Sequence, residues 1–177
     1  MSEPPWQTIP ELVDDAAARF GDAQALVDGD VDWTWVELRD QVHASARAMM
    51  ASGVQPGDRV AVWAPNVWEW AIAALGLHAA GGVLVPINTR FKGREAGFVL
   101  DRAGVDILFT VTDFLDTNYV RLLADADAGG GLRETVILRG AVADGCVAFA
   151  DFMARSDQVD DAARVARSAA VTLSLIH

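Results

Sequence analysis

Cysteine and lysine are almost absent from this 177-residue chain, which contains a single cysteine, Cys146, and a single lysine, Lys92. One thiol excludes an internal disulfide and any zinc site built from three or four cysteines. A reducing compartment suits such a chain, so we expect a cytoplasmic location. The N-terminus has no basic segment followed by an apolar one, so we expect no secretory signal.

Clustered positive charge is also missing, because the formal net charge is -11 and no basic run occurs. Binding of a nucleic acid requires grouped Lys and Arg side chains that displace counterions. The charge pattern therefore excludes a nucleic acid as a partner and is typical of a solvated acidic surface.

An apolar stretch, Trp70 to Ile87, has 18 residues without a formal charge. A transmembrane helix needs about 20 apolar residues in one helix. This stretch is interrupted by Gly81-Gly82 and Pro86, which cost about 1 and 3 kcal/mol in a helix interior. The pattern predicts a helix, a turn and a buried strand, and no transmembrane segment.

The first 60 residues carry two capping boxes, Thr8 with Glu11 and Thr34 with Glu37. Each predicts a helix start, and Asp28-Gly29-Asp30 predicts a β-hairpin between the two helices. Further on, Asn66 is a predicted N-cap with Glu69 at the third helical position.

Apolar runs and helix patterns alternate from residue 59 onward. One predicted helix ends at Gly104, the next begins at Thr112 or Asp113, and two short helices follow residue 148. Alternation of this kind predicts an α/β fold with a mostly parallel sheet and flanking helices. The predicted buried strand segments are Val60–Trp63, Val83–Val85, Ile107–Thr110 and Val136–Leu138.

Motifs that carry chemistry are missing. The chain contains no G-x-G-x-x-G, no G-x-x-x-x-G-K-[ST] and no G-x-S-x-G. Its histidines, His43, His78 and His177, lack metal-ligand spacing, and Cys146 has no basic neighbour in sequence. We interpret the tryptophans as core-filling side chains. The residues alone therefore assign no catalytic, cofactor-binding or metal-ligating position.

Four segments nevertheless resemble a known family, in order and in spacing, from residue 8 to about residue 170. They are "TIPELVDDAAARFGDAQALVDGD", "TWVEL", "GVQPGDRVAVWAPNVWEWAIAALGLHAAGGVLVPINTRF" and "EAGFVLDRAGVDILFT". They are similar to the acyl-activating, AMP-forming enzymes, which include acyl-CoA synthetases, adenylation domains and luciferases. The resemblance implies that residues 1–172 are part of the large N-terminal domain of such an enzyme.

The resemblance also implies a reaction, in which a carboxylate, ATP and coenzyme A give an acyl-CoA, AMP and pyrophosphate, with Mg2+ bound to the ATP. In this family the reacting groups are held by a Ser/Thr/Gly-rich phosphate loop, an aromatic-Thr-Glu segment, a ribose-binding Asp and a C-terminal Lys. None of these is in the sequence, so we carry over no site residue and expect this fragment alone to bind no cofactor and to be inactive. Asn66 and Asn88-Thr89-Arg90 match family positions, and we interpret them as a helix cap and a strand-exit turn.

"WAPNVWEW" and "PINTRFKGREAGFVL" are similar to bacterial acyl-CoA synthetases of the fatty-acid type, including those acting on ring-bearing degradation products. Two alternatives remain: an adenylation domain that loads a carrier protein, and a non-catalytic doubly wound binding module. The second would need an acidic pocket at the strand ends with a partner lysine, whereas Lys92 lies in a predicted loop.

The last five residues, 173–177, depart from the resemblance. Leu-Ser-Leu-Ile-His matches one translated reading frame of a transposon end used in DNA library preparation. We therefore expect residues 173–177 to be a non-native tail.

Overall fold

The structure, a computed structural model, describes residues 6–172, so the predicted tail lies outside the described residues. Both capping boxes are confirmed, at Thr8 for helix α1 (Ile9–Phe20) and at Thr34 for helix α2 (Trp35–Ala51). Between the two helices, β1 (Gln24–Asp28) and β2 (Val31–Thr34) form the predicted antiparallel hairpin.

A five-stranded sheet follows, and all of its strand pairs are parallel, in the order β4-β3-β5-β6-β7. The predicted α/β fold with a mostly parallel sheet is therefore confirmed. The strands are β3 (Arg59–Trp63), β4 (Val83–Pro86), β5 (Ile107–Val111), β6 (Glu134–Arg139) and β7 (Val147–Ala148).

The helices of this half are α3 (Trp68–Ala79), α4 (Gly93–Ala103), α5 (Tyr119–Asp125), α6 (Phe149–Ala154) and α7 (Asp161–Ala169), with a short 3-10 helix at Arg155–Gln158. Helix α2 contacts α3, α6 and α7, whereas α4 contacts α5. Right-handed crossovers between parallel strands place these two groups on opposite faces of the sheet.

The hydrophobic core lies along the three inner strands. All five residues of β5 are buried, as are Val60–Trp63 and Val136–Leu138. Burial of Val83–Val85 was expected as well, and this prediction is wrong: Val83 is 44% exposed, and Leu84 and Val85 are half-buried. The reason is that β4 is an edge strand with β3 as its one neighbour.

The uncharged stretch from Trp70 to Ile87 folds as predicted, with α3 ending at Ala79 and β4 starting at Val83. Gly81 has a φ of 81°, a conformation that glycine adopts without strain. Across residues 6–172, no helix combines the length and the apolar character needed to cross a membrane.

Two helix starts differ from the prediction. Asn66 does not cap α3: the N-cap position belongs to Val67, which makes no side-chain cap, and Glu69 is the second helical residue. The carboxylate of Asp28, in the hairpin, accepts the Trp68 N–H instead, at 3.0 Å.

Helix α5 begins at Tyr119 with Asn118 as its cap, and the predicted start at Thr112 or Asp113 is wrong. The backbone N–H of Thr112 still bonds to the Arg139 carbonyl, and positive φ angles at Leu115 and Asp116 exclude a helix there. The two short helices predicted after residue 148 are confirmed as α6 and α7.

Candidate functional site

The carboxyl end of β3 is the place where this sheet can be expected to hold a ligand. The chain leaves β3 toward β4 on one side and later returns to β5 on the other. In open α/β sheets, ligands bind outside the carboxyl ends of the strands at such a reversal. The loops that meet there follow β4 and β5.

An aromatic pair fills the base of this region. The rings of Trp63 and Tyr119 stack with centroids 4.2 Å apart and 6° between their planes. Trp63 donates its indole N–H to the Asn88 carbonyl at 3.1 Å, and Tyr119 donates its hydroxyl to the Thr89 carbonyl at 2.9 Å. Burial raises the pKa of Tyr119, so its hydroxyl stays protonated as a donor. The exit turn of β4 is thereby fixed to α5.

A crevice of about 130 Å³ remains next to this pair, and we call it the switch-point crevice. Its walls are formed by aromatic rings and aliphatic side chains, together with the polar side chains of Thr89, Lys92 and Thr117. Among residues 6–172, neither the Lys92 ammonium nor the Thr89 hydroxyl has a hydrogen-bond or ion-pair partner. The crevice is lined by Thr89, Phe91, Lys92, Phe114, Leu115, Thr117, Tyr119 and Leu122.

A strained turn forms one side of the crevice mouth. Phe114 and Thr117 pair across a two-residue turn whose central residues, Leu115 and Asp116, have φ angles of 50° and 57°. Such turns normally carry Asn-Gly or a similar pair, because a positive φ costs a residue with a Cβ about 1–2 kcal/mol. Leu115 is also 79% exposed. Backbone strain of this kind is concentrated at ligand clamps and switch regions.

An ion-pair cluster lies at the carboxyl end of β6, and we call it the Arg139 cluster. Arg139 donates two hydrogen bonds from Nε to Glu69, at 2.8 and 2.9 Å, and one from Nη2 to Asp28, at 2.6 Å. Hydrogen bonds with Glu69 and Asp28 raise the pKa of Arg139. The Trp68 N–H and Arg139 lower the pKa of Asp28. The cluster joins the hairpin, α3 and β6, and its fixed charges are all paired.

A second, wider depression of about 490 Å³ lies between α1, α2 and α7. His43 contacts Asp14 at 2.9 Å, and Asp161 accepts bonds from Arg47 and Arg164. Burial and the nearby Arg164 lower the pKa of His43. The charges in this groove neutralise one another, which is typical of helix packing through polar contacts.

The residues that sequence analysis singled out are dispersed. Asn66 is exposed on the loop after β3, while Asn88 accepts the Arg90 N–H at 2.9 Å and so forms the predicted strand-exit turn. Lys92 lies at the N-cap position of α4. Burial and Asp144 raise the pKa of Cys146, so this thiol is a poor nucleophile.

Sequence reasoning missed Asp28 and Arg139, because their partners are distant along the chain. The described residues also bring no three His, Cys, Asp or Glu side chains together as a metal site.

Comparison with protein families gives a match over almost the whole chain. A family model described as "AMP-binding enzyme" matches residues 13–171. A protein from Rhodococcus jostii named "3-[(3aS,4S,7aS)-7a-methyl-1,5-dioxo-octahydro-1H-inden-4-yl]propanoyl:CoA ligase" is 40% identical over 97% of this chain and 34% of its own length. A protein of the same name from Mycobacterium tuberculosis is 40% identical over 93% of this chain and 32% of its own. The chain thus spans about a third of the length of these relatives.

Solved structures share the fold at lower identity. An anthranilate CoA ligase, AuaEII, superposes with a TM-score of 0.75 at 19% identity, over 85% of this chain and 28% of that one. A fatty acyl CoA synthetase from Mycobacterium tuberculosis gives a TM-score of 0.70 at 22% identity, over 88% and 29%. An artificially fused adenylation-PCP di-domain from Klebsiella oxytoca gives 0.63 at 24%, over 84% and 24%.

Proposed function

The chain belongs to the AMP-binding enzyme family, and from that premise we propose that the whole protein is an ATP-dependent acyl-CoA ligase. The observation that carries the proposal is 40% identity over 97% of the chain to a relative named as a CoA ligase. The described residues are part of the large N-terminal domain of such an enzyme.

The proposed reaction joins two anions. A carboxylate attacks the α-phosphate of ATP, an acyl-adenylate forms and pyrophosphate leaves. The thiol of coenzyme A then attacks the acyl carbon and displaces AMP. A site for this chemistry needs fixed donors and cations where negative charge develops. Mg2+ bound to the ATP would neutralise part of the phosphate charge.

The part that residues 6–172 play in this proposal is to build and hold the sheet. The Arg139 cluster fixes the hairpin across the carboxyl end of β6, and the Trp63–Tyr119 pair fixes the loops over the end of β3. Preorganised loops at the carboxyl edge reduce the entropy that a ligand loses on binding.

For the substrate, we propose a ring-bearing carboxylic acid with a short aliphatic acid arm. The names of the two 40% identical relatives, which specify a bicyclic propanoyl group, support this class. A medium-chain fatty acid is the second candidate, supported by a medium-chain acyl-CoA ligase from Mus musculus that is 29% identical over 66% of this chain.

A carrier-loading adenylation domain is the alternative function, and the Klebsiella oxytoca di-domain supports it at the level of the fold. In a CoA ligase the acyl group of the acyl-adenylate passes to coenzyme A, whereas in an adenylation domain it passes to a phosphopantetheinyl carrier. Mass spectrometry of the acyl product, with coenzyme A and a carrier protein offered together, separates the two functions.

We propose a cytoplasmic location, supported by the single cysteine, and small-molecule rather than nucleic-acid partners, supported by the net charge of -11.

The direct test uses the complete reading frame that contains this chain. The purified protein is assayed for carboxylate-dependent AMP formation in the presence of coenzyme A, first with bicyclic propanoates and then with fatty acids of 6 to 12 carbons as probes. We expect AMP and acyl-CoA to form in equal amounts. AMP formation that does not depend on a carboxylate would overturn the proposal.

The 177-residue chain alone should not catalyse carboxylate-dependent exchange of pyrophosphate into ATP. The phosphate loop and the other reacting groups that the resemblance implies are absent from its sequence. Radiolabelled pyrophosphate incorporated into ATP is the measurement. Exchange above that of a heat-denatured sample would show that residues within this chain suffice for adenylation.

A further inference from the structure

We propose that the open edge of β4 is a docking surface for a parallel strand that follows α7 in the complete protein. Three features carry the proposal: the composition of the edge, the place where α7 ends, and the handedness of the connection. The chain covers 34% of the length of its Rhodococcus jostii relative, which leaves ample sequence for such a strand. The proposal goes beyond the proposed function, because it concerns the sheet and requires no substrate.

The edge of β4 has little of the protection that exposed edges normally carry. The strand Val83–Pro86 contains no charged side chain, and Val83 is 44% exposed. Natural sheets blunt an open edge with charges, bulges or proline, because its unpaired N–H and C=O groups recruit other strands. Pro86 is the one such residue in β4, and it stands at the last position. A strand of this composition is typical of one that is covered in the complete molecule.

The backbone of Leu84 faces this open edge. The Val83 N–H donates to the Asp58 carbonyl at 2.8 Å. The Ile87 N–H donates to the Val62 carbonyl at 3.0 Å. Successive N–H groups of a strand point to opposite sides, so the N–H and C=O of Leu84 point away from β3. The described part of the chain supplies no strand on that side, and a docked strand would therefore pair with Leu84.

Helix α7 ends next to the beginning of β4. Ser168 donates its hydroxyl to the Ala79 carbonyl at 2.8 Å, and Arg167 donates from Nη1 to the Ala80 carbonyl at 3.3 Å. Both carbonyls belong to the end of α3, just before β4 starts at Val83. Loops between a helix and the next strand usually have 2–6 residues. The chain that leaves α7 can therefore enter the sheet at the amino end of β4 and run parallel to it.

The handedness of the connection supports the same placement. Helix α7 contacts α2 and α3, so it lies on the face of the sheet that α3 covers. The chain crosses that face from β7 toward β4, which is the direction in which α3 connects β3 to β4. A parallel strand added outside β4 would thus complete a right-handed crossover, as nearly all such connections are.

The first test is hydrogen exchange at single-residue resolution in the protein made from the complete reading frame. The complete frame is needed because residues 173–177 of this chain are expected to be a non-native tail. We expect the Leu84 amide to be protected at least about 100-fold relative to an unstructured chain, as a bonded amide in a sheet is. The Val85 amide, which faces β3, is the internal control and should be protected as well. Protection of Leu84 below that level would overturn the proposal, because it would show that the edge is open.

The second test identifies the occupant. A photo-crosslinking benzoylphenylalanine replaces Val83 in the complete protein, and the crosslinked peptides are mapped by mass spectrometry. We expect the crosslink to fall within about 12 residues of the end of α7, the length of a short loop and one strand. The same probe at Val142, which is 49% exposed in the loop after β6, is the matched control and should not crosslink to that segment.

Four crosslinking results would overturn the proposal. They are no crosslink from position 83, a crosslink to a distant segment of the same chain, equal crosslinking from position 142, and a crosslink between two copies. The last would appear as a doubled mass on a denaturing gel and would make a second copy the occupant. Neither test uses ATP, a carboxylate or coenzyme A, so failure of the ligase assay and failure of this proposal are distinguishable.

Discussion

Ser45 has a buried side-chain oxygen that finds no hydrogen-bond partner among the described residues. It lies on α2 against Gly76 of α3, where a Cβ on the glycine would come within 2.2 Å of the serine oxygen. A buried hydroxyl without a partner costs about 1–3 kcal/mol. The close approach of the two helices therefore leaves one unfavourable atom in the core.

Ser45→Ala should raise the free energy of unfolding by about 1 kcal/mol, because it removes the unpaired oxygen and improves helix propensity. Gly76→Ala should lower it by about 1–3 kcal/mol, because the added methyl group overpacks the contact with α2. Urea unfolding followed by circular dichroism measures both. A loss of stability in Ser45→Ala would mean that the hydroxyl has a partner in solution.

Arg139→Met should destabilise the fold by about 3 kcal/mol. The change leaves the carboxylate of Glu69, whose side chain is 7% exposed, without its cation. The figure is at the low end for a buried pair because the Arg139 side chain is 36% exposed. Glu69→Gln in the same protein should recover part of the loss, and a double-mutant cycle in urea measures the coupling.

Arg121→Met is the control for that experiment. Arg121 approaches Asp125 at 3.7 Å, with side chains 80% and 67% exposed, so its loss should change stability by less than about 0.5 kcal/mol. Equal effects of the two variants would show that the Arg139 cluster is not an especially stabilising contact.

At the scale of the elements, the start of helix α3 depends on a side chain from the β1–β2 hairpin. Asp28→Ala removes the acceptor of the Trp68 N–H, whereas Asn66→Ala removes a side chain that makes no cap. We expect Asp28→Ala to be clearly destabilising at pH 7 and Asn66→Ala to be nearly neutral, as judged by urea midpoints. The opposite ranking would restore Asn66 as the cap.

The contribution of Asp28 to the stability of the fold should depend on pH. The pKa of Asp28 is lower in the folded chain than the ordinary value of 3.8, so its contribution to stability is present above that value. The contribution is lost as the pH falls through the folded pKa. The difference in urea midpoint between the wild type and Asp28→Ala should therefore be constant from pH 7 to pH 5 and shrink below pH 4. A difference that stays constant down to pH 3 would exclude an ionised Asp28 as the cause.

The helix starts at Thr8 and Thr34 were predicted correctly, whereas the starts of α3 and α5 were not, for two different reasons. The Thr8 and Thr34 caps bond three residues along the chain, so the local pattern contains the whole interaction. The cap of α3 comes from 40 residues away, and no local pattern encodes it. The start of α5 was placed too early because Thr112 still belongs to the sheet through its bond to Arg139.

Contact between α4 and α5 depends on one glycine. A Cβ on Gly93 would lie 1.8 Å from the carbonyl oxygen of Leu122, and backbone cannot move aside as a flexible side chain can. Gly93→Ala should therefore cost about 3 kcal/mol. Gly131→Ala, where a Cβ meets nothing within 4 Å, is the control and should be neutral or slightly stabilising in thermal unfolding. Equal melting temperatures would mean that the helices separate easily.

At the scale of the whole molecule, fold class follows from the alternation of apolar runs and helices, but the candidate site does not. The apolar pattern of "RVAVWA" or "DILFTV" identifies a buried strand but does not show which strands lie next to it in the sheet. Only the order β4-β3-β5-β6-β7 makes β4 an edge and brings residues 89–92 beside residues 114–122. Lys92 was placed in a loop from sequence, and only the tertiary structure brings it to the same crevice as Tyr119.

The chain emerges from the ribosome N-terminus first, so the members of the Arg139 cluster are synthesised at different times. Glu69 is made 70 residues before Arg139, and Asp28 111 residues before it. At a synthesis rate of about 5–20 residues per second, the interval for Glu69 is roughly 4–14 s. During that interval the nascent β3-α3-β4 unit carries an acidic side chain with no counter-charge from β6. The hairpin can cap α3 meanwhile, but its second anchor forms only when β6 emerges, so a strand synthesised later fixes the earlier hairpin in place.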